Sequence, residues 1–179
     1  FDQVNLEGFI SGPLTDTLGV RVAARTEQGG AWQKSQTRPG DKLGDRNFTT
    51  GRIILDWKPS DTVRFEFNAN GFIDKSDTLA AQYVKFAPTV PAAVSPLATI
   101  AENAIIASGN TRAPHDNRIA DWGAFDNFRN DNKFYQLSLR GDIDLSDTIT
   151  LTSLTAYSDL DYDSLVDPDG VTLGNVTPR

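Results

Sequence analysis

The sequence predicts an all-β fold, an antiparallel transmembrane β-barrel segment of about six strands, and three observations carry that prediction. One short phrase recurs between alternating segments, as Leu14-Thr-Asp-Thr-Leu18, Pro59-Ser-Asp-Thr-Val63 and Leu145-Ser-Asp-Thr-Ile149. The segments on either side of it alternate apolar and polar residues. The stretches between hairpins, from about Glu27 to Asn47 and from about Asp74 to Asn132, are long and polar. Tight turns at one end and long loops at the other, repeated, are the layout of a membrane barrel.

Taken in order, the first hairpin places Val4, Leu6 and Ile10 before its turn. Leu18, Val20, Val22 and Ala24 follow it, opposite in parity to Arg21 and Arg25. In the second, Ile53, Leu55 and Trp57 share one parity, and Arg52 and Asp56 share the other with Ile54. After the turn Val63, Phe65, Phe67 and Ala69 alternate with Arg64, Glu66, Asn68 and Asn70. In the third, Tyr135, Leu137, Leu139, Ile143 and Leu145 lie opposite Gln136, Ser138, Arg140, Asp142 and Asp144. Successive side chains on a strand point to opposite faces, so each hairpin has one apolar face and one charged face. The last strand changes step: Ile149 and Leu151 hold one parity, then Leu154, Ala156, Leu160 and Tyr162 the other. A bulge near Thr152–Ser153 accounts for that change.

A soluble antiparallel sheet with one wet face alternates in the same way. Strand length separates the two: segments of about ten residues cross a bilayer at a tilt, whereas soluble strands average about five or six. The turns carry Asp, Ser, Thr and Pro, which close turns through side-chain bonds or a fixed φ. Structureless loops as long as these are rare in compact soluble domains. Trp57, at the turn end of its strand, and Tyr135, at the loop end of its own, keep the apolar parity, as the two aromatic belts of a membrane barrel require.

Composition excludes several classes. A chain of 179 residues predicts one domain or two, and 39% hydrophobic residues with a mean hydropathy of −0.37 is low for a packed globular core. Outward apolar side chains around a polar lumen explain this without disorder, since the strand segments are rich in Phe, Tyr, Ile and Val. A net charge of −7 and a pI near 4.6 argue against nucleic acid. With no cysteine and one histidine, neither a disulfide framework nor a His- or Cys-based zinc site is available. No run of about 18 apolar residues marks a transmembrane helix. The missing signal peptide and the start at Phe1 read as an internal piece of a longer precursor.

Candidate sites are few. Asp159, Asp161 and Asp163 have the spacing that opens an EF-hand loop, but Ser164 stands where Gly is needed and Gly170 where Glu is needed. A strand end running into an acidic loop is the simpler reading, and no metal is expected. His115 lies in the long loop among Asp116, Asn117 and Arg118, with no nucleophile and orienting partner near it in sequence. Asp142 and Asp144 share their face with Arg140, which reads as an inward charge network rather than a catalytic acid pair. No phosphate or dinucleotide loop is present. No enzymatic activity and no cofactor are expected. Within the second loop, 96–107 reads as a short helix with Ser95 as N-cap and Gly109 past its end.

Three phrases carry a family resemblance. Glu7-Gly-Phe-Ile-Ser-Gly-Pro-Leu-Thr-Asp-Thr-Leu18 resembles the first barrel hairpin of TonB-dependent outer-membrane receptors. Gly51-Arg-Ile-Ile-Leu-Asp-Trp-Lys-Pro-Ser-Asp61 and Leu151-Thr-Ser-Leu-Thr-Ala-Tyr157 resemble the next two. Residues 1–179 would then be the first part of such a barrel, without its plug domain, its TonB-contacting segment or its remaining strands. The resemblance implies a bacterial outer-membrane location, with short periplasmic turns, long extracellular loops and contact with membrane lipid. It implies a plug and a TonB complex as partners, and active uptake of a scarce small-molecule nutrient such as a ferric siderophore. A passive porin-like channel and a secreted β-rich adhesion or sugar-binding module are the alternatives. Six strands are fewer than the eight of the smallest barrels, so the segment cannot close alone. Lumen-facing candidates for ligand binding are Arg21, Arg25, Arg52, Arg64, Glu66 and Arg140, which would anchor the plug or line the path.

Overall fold

The structure, a computed structural model, describes residues 2–85, 87, 94, 96–109 and 115–172. In chain order its elements are β1 (Gln3–Pro13), β2 (Leu18–Gly29), β3 (Gln33–Ser35), β4 (Lys42–Leu43), β5 (Arg46–Ser60) and β6 (Val63–Asp74). Then follow the helix α1 (Pro96–Ala107), β7 (Ile119–Ala120), β8 (Asn132–Ser146) and β9 (Ile149–Asp161). The six long strands form one antiparallel sheet in the order β1-β2-β5-β6-β8-β9. They run from 11 residues in β1 to 15 in β5 and β8, about double the usual soluble strand. The sheet is open, with β1 and β9 as its edges.

Register assigns every strand residue to a face. Leu18, Trp57 and Phe65 align across three strands, as do Val20, Leu55, Phe67 and Leu139, and Val22, Ile53, Ala69 and Leu137. These rows make one apolar face. The opposite face carries Arg21 beside Ile54 and Asn68, and Asp56 beside Glu66 and Arg140. A one-residue slip would exchange the faces, so the alternation itself enforces the register.

The expected bulge near Thr152–Ser153 is absent. β9 pairs with β8 without interruption from Leu151 to Asp161, and the irregularity lies between Asp144 and Ser146, at the turn. Leu154 and Leu160 therefore stand on the polar face, opposite Arg140 and Phe134. Tyr157 stands on the apolar face opposite Leu137. The strand keeps step because Thr150 and Thr152 turn their hydroxyls to the polar face, donating to Asp144 and Asp142 at 2.6 Å each.

The first and third turns share one construction. Thr15 Oγ1 accepts from the Thr17 amide at 3.3 Å, and Ser146 Oγ from the Thr148 amide at 3.4 Å. The first two turns also bond to the next hairpin: Lys58 N–H donates to the Thr17 carbonyl and Asp144 N–H to the Thr62 carbonyl, both at 2.8 Å. Thr17 and Thr62 are the same position of the repeated phrase.

Against the sequence expectation, the long loops are not structureless. β3 pairs antiparallel with β4 and parallel with β7, a small second sheet assembled from both loops. Every buried hydrophobic residue among those described lies in this loop cap: Leu43, Ala80, Ala120, Trp122, Phe128 and Val171. Gln33 mimics a peptide group, donating to the Ala80 carbonyl and accepting from its amide, both at 2.9 Å. Ser35 Oγ donates to Asp121 at 2.5 Å, and Asp167 accepts from the Gly123 amide at 2.9 Å. The three segments beyond β2, β6 and β9 are thereby tied into one body. α1 occupies the expected residues and stops at Gly109, whose φ is 90°, while Ser95 lies outside the described residues.

Gly170 closes this body. Its φ is 69°, and a Cβ there would sit 2.3 Å from the Ala81 carbonyl oxygen. Gly170→Ala is expected to loosen the cap without disturbing the strands, at a cost of about 1–3 kcal/mol. Amide hydrogen exchange should rise in 76–85 and 163–172 and stay unchanged in β5 and β6. Uniform loss of protection across the sheet would show that cap and sheet are one cooperative unit.

Candidate functional site

The polar face of the sheet, roofed at one end by the loop cap, is the candidate site. Six arginines stand on it by register: Arg21, Arg25, Arg46, Arg52, Arg64 and Arg140. Near the turns, Arg64 grips Asp56 with two bonds of 3.0 and 2.7 Å, and Arg140 grips Asp142 at 2.9 and 3.2 Å. Such forked pairs hold both side chains in fixed planes. Glu66 lies in the row between Asp56 and Arg140. Near the loops, Glu27 binds both Arg25 and Arg46, the latter at 2.8 Å, and Arg46 also reaches Asp74 at 3.7 Å. At mid-height, Arg21 lies over the Phe9 ring at 4.2 Å, and Arg52 has no polar or ring contact among the described residues.

All six predicted lumen candidates, Glu66 among them, thus share one face. Sequence reasoning missed what separates the turn-side ion pairs from the cap. Phe48, Phe72 and Phe134, on three neighbouring strands, stack at 5.6 and 5.5 Å between centroids. Arg46 covers the outer face of this ridge, 4.8 Å from the Phe48 ring, and Leu160 stands opposite Phe134. The signal was in the sequence: all three rings occupy the polar parity, each close to a long loop.

In the cap, a hollow of about 260 Å³ opens between the ends of β2 and β5, lined by Trp32, Asp45, Arg46, Ser76, Asp77 and Asn130 among others. Asp45 and Asp77 clasp one another across it. The Asp77 amide donates to Asp45 Oδ1 at 2.8 Å, and the Asp45 amide to Asp77 Oδ2 at 3.2 Å. Burial, and then the adjacent Asp45 carboxylate, push the Asp77 carboxyl above the usual carboxylate range.

The remaining sequence candidates do not converge. Asp159 and Asp161 lie on extended β9 opposite Tyr135 and Lys133, on the apolar face. Asp163 lies beyond the strand, its carbonyl accepting from the Asp131 amide at 2.7 Å. Among the described residues no three His, Cys, Asp or Glu side chains gather as metal ligands. His115 is exposed. α1 buries none of its residues. No family model, curated protein or solved structure matches this chain.

The raised Asp77 carboxyl fixes a pH dependence. A carboxyl with a higher folded than unfolded pKa adds stability that is complete below its ordinary value and is lost as pH rises through the folded one. The clasp is therefore tighter in acid and strained at neutral pH. Asp77→Asn keeps an acceptor for the Asp45 amide and removes the repulsion. Protection of the 44–47 and 76–79 amides at pH 7, corrected for intrinsic exchange, should exceed that of the unsubstituted protein, and the gain should vanish near pH 4. Equal protection at both pH values would remove the electrostatic account of the clasp.

Proposed function

We propose that the chain is the first part of the barrel of a TonB-dependent outer-membrane receptor, acting in active uptake of a scarce small-molecule nutrient rather than in catalysis. The observation that carries the reading is an open sheet of long strands with a continuous apolar face, whose packed core lies in the loops at one end. A soluble sheet of this size covers its apolar face with a second layer. Here the apolar face is left to its surroundings: Val22, Ile53, Leu137 and Leu139 are 38–49% exposed.

Dimensions and belts support the same reading. From Tyr135 to Leu145 the apolar parity of β8 extends about 33 Å along the strand at 3.3 Å per residue, about 25 Å of height at the usual tilt of about 40°, near the height of a membrane barrel's lipid-facing band. Trp57 stacks with Phe65 toward the turns, and Tyr135 meets Tyr157 toward the loops, so each predicted belt residue has an aromatic neighbour across the sheet. On this reading lipid covers the apolar face and the turns are periplasmic. The loop cap is extracellular, and the polar face lines the lumen beside the plug. The solute descends from the cap along the polar face, and the TonB complex supplies the energy for its release.

Two adjacent substitutions in the full-length protein test the faces. Leu137→Arg sets a guanidinium against lipid at a cost of about 2–4 kcal/mol, so heat-modifiable receptor in the outer membrane should fall sharply. Gln136→Arg places the same group in the lumen and should leave assembly near normal. Equal assembly of the two would sink the assignment of faces.

Accessibility tests the ends. These 179 residues hold no cysteine, and Phe125 at the loop end is 99% exposed. A cysteine replacing Phe125 should react on whole cells with an impermeant thiol reagent, and cysteines replacing Ser60 or Ser146 should react only after lysis. The reverse pattern would invert the orientation.

A further inference from the structure

Of the six arginines on the polar face, four hold carboxylates: Arg25 and Arg46 share Glu27, Arg64 holds Asp56, and Arg140 holds Asp142. Arg21 and Arg52 hold none among the described residues. They are also neighbours. Arg21 is opposite Ile54 on β5, and Arg52 is two residues along that strand, so the pair is diagonal on one face. Side chains so placed have Cβ atoms about 7 Å apart, within reach of one small group for residues as long as arginine. The carboxylate diagonal to Arg21 on the other side, Asp56, has both oxygens engaged by Arg64. The Arg21 guanidinium lies over the Phe9 ring, a contact that takes up none of its N–H donors. Both side chains are exposed on this face.

We propose that Arg21 and Arg52 together receive an anionic group, a carboxylate or a phosphate, of the transported solute. The site lies between the turn-side ion pairs and the aromatic ridge, with its donors uncommitted. The inference rests on the uptake reading for the solute's access to this face. It adds a chemical class: the solute carries an anion small enough to bridge two guanidinium groups.

The test uses the full-length protein in detergent, with inorganic phosphate as the probe and phosphorus NMR line broadening as the readout. Saturable binding is expected. The double variant Arg21→Gln/Arg52→Gln should weaken it about tenfold or more, the loss expected of two charge-assisted contacts. Arg118→Gln, in the cap, should leave it unchanged. An unchanged thermal midpoint shows that the double variant is folded. Phosphate binding indifferent to the double substitution overturns the proposal. So does absence of binding to the unsubstituted protein together with a lowered midpoint in the double variant, since the pair would then be held by a carboxylate of the protein itself. Recovery from the outer membrane is scored on the same preparations. Failure of phosphate binding in a protein that is recovered there removes the anion site and leaves the uptake reading standing; a protein absent from the outer membrane removes the uptake reading.

Discussion

The backbone ladder between the six long strands is the interaction on which everything else depends. Among the described residues neither face of this sheet is packed against another layer, so side-chain burial does not hold the strands together. What holds them is unbroken pairing, as between β2 and β5 from Leu18 to Gly29 and between β6 and β8 from Val63 to Asp74. A hydrogen bond exchanged for one with water contributes little net stability, and the same bond contributes far more where water is excluded. The length and continuity of the strands are therefore what a sheet needs when its apolar side is surrounded by hydrocarbon.

The loop cap follows a different rule. It is built as a small soluble domain is, with Trp122 and Phe128 buried and polar side chains such as Gln33, Ser35 and Asp167 satisfied by bonds between segments distant in sequence. One chain thus carries two kinds of cohesion at its two ends. The boundary between them falls where Glu27, Arg46 and Asp74 meet above the phenylalanine ridge.

The hairpins were legible because alternation is a local property, and one face of each strand repeats the same chemistry. The six lumen candidates could be placed on one face for the same reason. The cap was not legible. Gln33 meets Ala80 and Ser35 meets Asp121 across 47 and 86 residues, and no local pattern announces such partners. β9 misled because the change of parity at Leu154 looks like a bulge. An edge strand has a neighbour on one side only, and it tolerates leucine on its polar face without breaking register. That Arg52 has no partner among the described residues also needed the structure, since the sequence lists charges but not their distances.

The second threonine position of the turn phrase, Thr17 in the first turn and Thr62 in the second, links neighbouring hairpins. Thr17 offers its carbonyl to the strand that arrives after the first hairpin, and Thr62 does so for the strand after the second. Each finished hairpin therefore carries a fixed docking point for the next, set one residue before its outgoing strand begins. Thr148 occupies the same position on β9. The same bond at the same phrase position sets the same stagger between the first and second hairpins and between the second and third. A change in one of these two turns would therefore reach the neighbouring hairpin through the backbone rather than through a side chain.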